Sequence, residues 1–306
     1  MKKTVLLGMM FFGFSTLAHA DFNSGLDKYR HGNLASAAYE WKTAAEQGDG
    51  KSQFALGQIY ETGRGVQRDL TQAYKWYQLA ADNNIAGAQV RVADFLLSGR
   101  VKGHKPEEAA VLLNKAAKAG SADAQFKLGL MSLEGVGVKK DESAAAHFFE
   151  AAAKQGHLQA MNNIGILYET GRGVKQDFTQ AFNYFNQAAQ KGDAMAQNNL
   201  GMLYTRGQGV ERNDAWAVFW FTVAANRGNT AAAKNIPAAL KRLKEKQISG
   251  RSVNVRSGAG TKYNPVTQLA HDNSVYVLGE MNGWSQVYFE KDDKPALGWI
   301  LSSLLK

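Results

Sequence analysis

The feature that most constrains this chain is an internal repeat of 36 residues, which runs through its middle without an insertion or a deletion. One column of the repeat holds the glycines Gly63, Gly99, Gly135, Gly171 and Gly207. A second column holds the alanines Ala73, Ala109, Ala145, Ala181 and Ala217. The units predicted from this register are residues 52–87, 88–123, 124–159, 160–195 and 196–231. Self-similarity at such a period indicates an array of stacked units.

Each unit has the pattern of two helices. In the first unit, Leu56 and Ile59 fall on one face of a first helix, and Ala73 and Tyr77 fall on one face of a second. Between them stands the Gly-Arg-Gly segment 63–65, and glycine suits a helix end that needs a positive φ. Because no such unit can bury both of its faces alone, the units are predicted to stack into an α-solenoid.

A third column of the repeat contains only small residues, which predicts close approach of two helices. Its members are Gly57, Ala93, Gly129, Gly165 and Gly201. Asp69 and Asp177 stand where second helices are expected to begin, each with a glutamine three residues later. A carboxylate at this position accepts hydrogen bonds from the first helical turn.

The two ends of the array have weaker versions of the pattern. Residues 22–51 follow the helix-pair register with a shorter loop and are predicted to be a leading cap. Residues 232–249 are predicted to be a trailing cap, and residues 230–247 to form a final helix. We interpret its lysine-rich run 241–246 as a solvated face, and contact with an anionic polymer or lipid as the alternative.

Two of these segments resemble a known family. Residues 124–129 (Ala-Gln-Phe-Lys-Leu-Gly) and 168–174 (Tyr-Glu-Thr-Gly-Arg-Gly-Val) are similar to Sel1-like repeats, which are relatives of the tetratricopeptide repeat. The second unit departs from the family pattern at Val101 and Lys102. The resemblance implies a protein-interaction scaffold over residues 21–249, of a family that bacteria often export to the cell envelope.

From Ser249 the pattern changes to alternating residues and turns, with strands expected near 252–256, 274–278 and 284–289. Residues 253–261, with Asn-Gly-Trp at 282–284 and Gly-Trp-Ile at 298–300, resemble the bacterial SH3-like domain. The predicted fold is therefore mostly α, a right-handed α-solenoid of helix pairs followed by a small all-β SH3-like barrel over 250–306. Candidate ligand contacts in the barrel are Tyr263, Trp284, Tyr288 and Trp299. The alternative for both tryptophans is core packing, because so small a domain needs aromatic residues for burial.

Residues 1–20 have the pattern of a secretory signal peptide. Lys2 and Lys3 precede an apolar run from Val5 to Leu17, and Ala18-His19-Ala20 follows as a cleavage site before Asp21. We expect export to the periplasm, or secretion as the alternative, with no stable membrane insertion after cleavage. An uncleaved anchor is disfavoured because the apolar run is shorter than a membrane span.

Composition and motifs exclude several functional classes. The net charge of +9 is mostly dispersed along the chain, and an exported protein seldom meets nucleic acid. The chain has no cysteine, and none of its six histidines has the spacing of a metal site. The Gly-x-Gly segments join helices and do not follow a strand, so they are better explained as helix ends than as phosphate loops. We therefore expect no catalytic residues, no cofactor and no metal.

The first helices offer the candidate interaction surface, because first helices line the concave side of such solenoids. Residues that point away from the core stripe are Phe54, Gln58, Val90, Asp94, Leu97, Phe126, Leu130, Leu133, Asn162, Ile166, Asn198 and Met202. Apolar residues there favour a groove for a segment of a protein partner. The alternative is tight winding that buries them between neighbouring helices.

The resulting hypothesis is a non-catalytic envelope adaptor. Its solenoid would bind a protein partner, and its barrel would bind cell-wall material, including peptidoglycan, or a second partner. The alternatives are a modulator of a murein-processing enzyme and a secreted factor that contacts a host.

Overall fold

The computed structural model describes residues 21–100 and 105–306, so the predicted signal peptide, Val101 and Lys102 lie outside the described residues. The chain forms two compact units, an N-terminal unit (Met1–Ala119) and a C-terminal unit (Gly120–Lys306).

The described part of the N-terminal unit consists of three helix hairpins. Its helices are α1 (Phe22–Arg30), α2 (Leu34–Glu46), α3 (Gly50–Thr62), α4 (Leu70–Asp82), α5 (Ala86–Leu97) and α6 (Pro106–Lys118). Each hairpin pairs a first helix with the helix that follows it, as the repeat predicts.

The C-terminal unit continues the helical pattern and ends in a sheet domain. Its helices are α7 (Ala122–Glu134), α8 (Glu142–Lys154), α9 (Leu158–Thr170), α10 (Phe178–Gln190), α11 (Ala194–Arg206), α12 (Asp214–Asn226) and α13 (Thr230–Leu240). Its strands are β1 (Glu245–Gln247), β2 (Ser252–Arg256), β3 (Pro265–Ala270), β4 (Ser274–Met281), β5 (Trp284–Lys291) and β6 (Lys294–Leu301). Helix pairs followed by a six-stranded antiparallel sheet confirm the predicted fold class.

Helix ends follow from the residues that the repeat places there. The Asp69 carboxylate accepts hydrogen bonds from the backbone of Thr71 and Gln72, at 2.9 and 3.0 Å, and Asp177 caps α10 in the same way. The first helices that end in a left-handed glycine do so at Gly63, Gly135, Gly171 and Gly207, with φ between 68° and 77°. Side chains other than glycine rarely adopt this conformation.

The small-residue column lies where the two helices of a hairpin meet. A Cβ added at Gly129 would stand 2.5 Å from the ring of Phe149, which is fully buried. The same contact joins Gly57 to Tyr77, Gly165 to Phe185 and Gly201 to Phe221. In the second repeat, Ala93 stands in place of the glycine and Leu113 in place of the aromatic residue, and both are buried. The methyl group of the alanine is thus accompanied by a side chain without a ring.

The second glycine of each Gly-x-Gly segment makes a different contact. A Cβ at Gly173 would stand 2.1 Å from the carbonyl oxygen of Glu142, and one at Gly209 would stand 2.1 Å from that of Phe178. Both carbonyls lie at the start of the preceding second helix. These glycines therefore allow one hairpin to approach the next.

Buried glutamines also connect successive hairpins, which the sequence pattern did not reveal. The Gln53 side-chain amide donates to the carbonyl of Ala45 at 3.1 Å, and Gln197 donates to Ala189 at 2.9 Å. Each carbonyl lies near the end of the preceding second helix, where carbonyls have no partner within the helix.

The prediction of a last helix over 230–247 is wrong at its C-terminal end. Helix α13 ends at Leu240, beyond Pro237, which lies inside it. Residues 245–247 form β1, which pairs antiparallel with β4 through Lys246 and Val275. The pairing satisfies backbone groups that would otherwise lie unpaired at the sheet edge. Part of the lysine-rich run thus belongs to the sheet domain.

The sheet domain has its own core and also packs against the last helices. Its strand order is β1-β4-β5-β6-β2-β3. The domain core consists of Ile248, Val253, Val255, Val275, Val287, Phe289 and Ile300. On its other side, Tyr288 joins a buried cluster with Val218 and Phe221 of α12 and Leu240 of α13. Helix α12 is apolar around its whole circumference because it packs against other helices and also against the sheet.

A double-mutant cycle tests the contact between glycine and ring. We expect the double variant Gly129→Ala with Phe149→Leu to lose less free energy of unfolding than the two single variants together. The difference should be at least about 1 kcal/mol. The physical reason is that the leucine makes room for the added methyl, as in the Ala93 and Leu113 pair. Chemical denaturation of the four proteins measures the coupling.

The control cycle combines Gly201→Ala with Phe149→Leu, because Gly201 contacts Phe221 and not Phe149. These two changes should be additive within about 0.5 kcal/mol. If the changes were additive in both cycles, the contact with the ring would not be the reason why this column of the repeat requires small residues.

Removal of the sheet domain should destabilise the helices on which it lies. A chain that ends at residue 243 exposes the apolar faces of α12 and α13. We expect helical circular dichroism to be retained, the thermal midpoint of the C-terminal repeats to fall and a hydrophobic dye to bind. An unchanged midpoint without dye binding would show that the packing of Tyr288 contributes nothing to these helices.

Candidate functional site

An aromatic cleft opens in the N-terminal unit, between the leading hairpin and α3. Its volume is about 420 Å³. We call it the aromatic cleft. The residues that line it are Phe22, Leu26, Tyr29, Trp41, Phe54, Ala55, Gln58, Ile59, Thr62 and Arg64. Two of the predicted partner-binding residues, Phe54 and Gln58, are among them.

The indole of Trp41 is the inner end of the cleft. It is 4% exposed, and its Nε1 donates a hydrogen bond to the carbonyl of Phe22 at 3.0 Å. The rings of Phe22 and Tyr29 lie on it, with centroid distances of 6.1 and 5.6 Å. Gly25 of α1 lies close to the same indole. The inner end is therefore apolar and held in one orientation by packing and a hydrogen bond.

The opposite wall comes from α3. Phe54 is half-buried, and its ring contacts Tyr77 at a centroid distance of 5.7 Å. Gln58 is exposed, one helical turn further along. The wall thus changes from apolar to polar towards the solvent, which is typical of sites that bind an apolar group and orient it by polar contacts.

The length of α1 accounts for the opening. Helix α1 has nine residues and α3 has thirteen, so α1 is about 6 Å shorter at 1.5 Å per residue. A shorter first helix leaves part of the face of α3 uncovered. Phe22, Leu26 and Tyr29 form the stripe of α1 that faces this space, at spacings of four and three residues.

A cation lies at the mouth of the cleft. The Arg64 guanidinium donates to the Tyr29 hydroxyl at 2.9 Å and lies 5.5 Å from the centre of the same ring. Arg64 is exposed, and it is the one charged side chain among the described residues that line the cleft. The mouth therefore has a positive charge and a directed set of donors.

Three predicted site residues are buried, so we correct their assignment as contact residues. Val90, Asn162 and Tyr288 are 6%, 4% and 3% exposed. The Asn162 side chain accepts a hydrogen bond from Asn199 at 2.9 Å, and Tyr288 packs against α12. In these positions helix and sheet packing covers the faces that the helical period placed outward.

The remaining predicted residues of α5, α7, α9 and α11 are partly accessible and do not line the aromatic cleft. Leu97 is exposed, and Asp94, Phe126, Leu130, Leu133, Ile166, Asn198 and Met202 are half-buried. Phe126, Leu130 and Leu133 all pack against the buried core of the C-terminal repeats. These three residues therefore contribute to packing, which is the alternative that the sequence left open.

The outer face of the sheet domain carries the other predicted contacts. Trp284 and Trp299 are half-buried, and strand register places both on the face to which Tyr288 belongs. Met281 and Leu301 flank Trp284 in the register and are 50% and 39% exposed. We call the surface formed by Trp284, Trp299, Met281 and Leu301 the strip. Tyr263 is exposed beside Gly258 and does not belong to the strip.

An interaction network lies behind the cleft wall. The Tyr77 hydroxyl donates to Glu61 at 2.7 Å, and Arg91 binds the same carboxylate. Burial, and then the neighbouring Glu61 carboxylate, raise the pKa of Tyr77 well above its ordinary value. Tyr77 therefore stays a neutral donor, and the network fixes α3 against α4 and α5.

Sequence reasoning missed Phe22, Tyr29, Trp41 and Arg64 as site residues. The signal was present, because Phe22, Leu26 and Tyr29 form an apolar stripe of α1 at spacings of four and three residues. Among the described residues, no group of three His, Cys, Asp or Glu side chains could hold a metal ion. No helix in residues 21–100 and 105–306 has the length and apolar character needed to cross a membrane.

The helix hairpins define a helical-repeat protein, and comparison with known proteins gives its family. The Sel1 repeat profile matches residues 50–85, 86–121, 122–157, 158–193 and 194–229. The chain belongs to the Sel1 repeat family. The bacterial SH3 domain profile matches residues 251–306. Both resemblances inferred from the motifs are confirmed.

Solved structures agree with this assignment. A Sel1 repeat protein from Oxalobacter formigenes is 30% identical, with a TM-score of 0.67, over 72% of this chain and 87% of that protein. A protective antigen of uropathogenic Escherichia coli is 33% identical, with a TM-score of 0.62, over 66% of this chain and 43% of that protein.

Curated relatives match only a part of this chain. Chitin synthase regulatory factor 3 of Schizosaccharomyces pombe is 34% identical over 107 residues, and chitin synthase regulator SKT5 of Saccharomyces cerevisiae is 47% identical over 47 residues. The matches cover 34% and 15% of this chain, but only 11% and 7% of these relatives.

The cap of α9 is a titratable side chain, so we expect the stability of the fold to depend on pH. His157 Nδ1 accepts a hydrogen bond from the backbone of Ala160 at 3.2 Å, and its ring stacks on Phe126 at 4.5 Å. Burial lowers the pKa of His157 and Lys127 adds to this, whereas Asp123 opposes it. The folded chain therefore binds a proton less well than the unfolded chain, in which histidine titrates near about pH 6.5.

Stability from this group should be fully present above about pH 6.5 and fall as the pH decreases below it. We expect His157→Asn, which keeps a cap without titrating, to lose part of the decrease in thermal midpoint between pH 7.5 and 5.5. His157→Ala should cost about 1 kcal/mol at pH 7.5, because the cap is removed. The same pH profile for the parent and His157→Asn would contradict the assignment.

Proposed function

We propose that the protein is an exported, non-catalytic adaptor of the cell envelope, whose Sel1 repeats hold a segment of a protein partner while its SH3-like domain attaches to cell-wall material or a second partner. The observation that carries the proposal is the aromatic cleft. Its volume of about 420 Å³ is in the range of pockets that enclose a small ligand or a few side chains. Its apolar inner end and polar mouth suit a protruding side chain of a partner.

The packing of the sheet domain supports a bridging role. Tyr288, Leu297 and Tyr276 lie against the cluster that contains α12, so the domain has a fixed orientation on the last repeats. A fixed domain holds its ligand at a defined place relative to these repeats. The strip with Trp284 and Trp299 is the surface that we propose for this second contact, because aromatic side chains with apolar neighbours commonly form contact sites.

The signal-peptide pattern of residues 1–20 supports the envelope as the place of action. The proposal requires cleavage of the leader before Asp21. Cell fractionation with N-terminal sequencing of the isolated protein tests it, and a cytoplasmic protein that retains Met1 would contradict it.

Partner capture tests the role of the cleft. We expect Gln58→Glu to reduce recovery of a partner from envelope extract about tenfold, because a carboxylate must then be desolvated beside an apolar group. Gln58 is exposed and lines the cleft, so the fold should be unaffected. Quantitative mass spectrometry of the bound fraction measures recovery.

The matched control is Gln67→Glu, which makes the same change at an exposed residue that does not line the cleft. It should leave recovery as in the parent. Equal recovery with both variants, each showing the parent's thermal midpoint, would exclude the cleft as the partner site.

Similarity to the chitin synthase regulators favours a second candidate function, which is regulation of a polysaccharide-processing enzyme such as a murein enzyme. The distinguishing measurement is the activity of a captured enzyme with and without the protein. A change in turnover favours regulation, and unchanged turnover favours bridging alone.

A further inference from the structure

The repeat provides an internal comparison for Arg64. In the same register of the fourth unit stands Arg172, whose Nε and Nη2 donate to the Glu142 carboxylate at 2.9 and 2.6 Å. The hydrogen bond from Arg172 lowers the pKa of Glu142. The arginine of the Gly-Arg-Gly segment thus has a carboxylate partner within the chain in one unit.

In the first unit the carboxylate is missing from the equivalent place. A Cβ at Gly173 would stand 2.3 Å from the carbonyl carbon of Glu142, and a Cβ at Gly65 would stand 2.6 Å from that of Leu34. Leu34 therefore occupies the place of Glu142. Among the described residues Arg64 has no carboxylate partner, and its guanidinium contacts Tyr29 instead.

Tyr29 connects this cation to the aromatic cleft. Its ring lines the cleft and its hydroxyl receives the hydrogen bond from Arg64. A group bound beside the Tyr29 ring is therefore within a side chain's length of the guanidinium. Arginine binds carboxylates through paired, charge-assisted hydrogen bonds, and such bonds are stronger than neutral ones.

We propose that the aromatic cleft binds a peptide segment that carries an aromatic or long aliphatic side chain with an Asp or Glu one or two residues away, the carboxylate pairing with Arg64. This inference rests on the proposed function and specifies the partner's chemistry. The apolar side chain enters between Tyr29, Trp41 and Phe54, and the carboxylate takes the role that Glu142 has for Arg172.

Selection from a random dodecapeptide display library on the purified full chain tests the inference. Peptides enriched on the parent should pair an apolar residue with a nearby acid. The same selection on Arg64→Gln should lose the acid and keep the apolar residue. Similar acid content in both pools would overturn the carboxylate pairing and leave the proposed function standing.

A synthetic probe gives the quantitative measurement. The most enriched peptide and its twin, with the acid changed to the corresponding amide, are titrated by calorimetry. We expect the Kd of the twin to be about tenfold higher on the parent, and the ratio to approach one on Arg64→Gln. Arg172→Gln is the matched control and should keep the parent's ratio, because its carboxylate partner is internal.

The remaining outcomes are also decisive. Arg64→Lys should retain part of the preference for the acid, since it keeps the charge but not the paired donors. A pool selected on Gln58→Glu that equals the parent's pool would overturn the proposed function together with this inference. Enriched peptides that match a segment of this chain would identify a second copy as the occupant and overturn the inference of a foreign partner.

Discussion

The fold depends on the contact between a glycine of the first helix and a ring of the second, which four of the five repeats share. Where Gly129 meets Phe149, the absence of a Cβ allows the aromatic side chain to lie directly on the helix backbone. The hairpin is then close enough for Ala124 of one helix and Ala145 and Ala152 of the other to be fully buried. Because each hairpin buries only one side in this way, its other side must be covered by the next hairpin or by something else. A constant period of 36 residues meets this requirement, because within the array each hairpin is followed by another of the same length.

The ends of such an array show how that requirement is met. After α12 and α13 the sheet domain covers the apolar surface, with Tyr288 in the shared cluster. At the leading hairpin, the short α1 covers α3 only in part, and the aromatic cleft remains. The sheet domain thus covers the last helices, whereas the leading hairpin leaves a cleft with an apolar inner end. This difference in covering supports the binding role that we propose for the cleft, since nothing in the period requires an open site.

Much of the fold was predictable from the sequence because glycine and capping residues act locally. The left-handed end at Gly63 and the cap at Asp69 are set by neighbouring backbone, so their positions in the repeat are sufficient. Strand β1 and the burial of Tyr288 depend on contacts distant in sequence, which a periodic pattern does not contain. The cleft was predicted only through Phe54 and Gln58. The period identifies the outward face of α3 but does not show that the helix before it is too short to cover that face.

Departures from the repeat are informative because the other units act as internal references. At Ala93 the larger residue coincides with the smaller Leu113, so the departure is compensated within the chain and concerns packing alone. At Leu34 the carboxylate that Glu142 provides to Arg172 is lost, while Arg64 is kept, and no described residue supplies another carboxylate. An arginine held at the surface without its anion gains no stability from the pair that its register allows. This departure, and not the one at Ala93, therefore supports the binding site that we propose at Arg64.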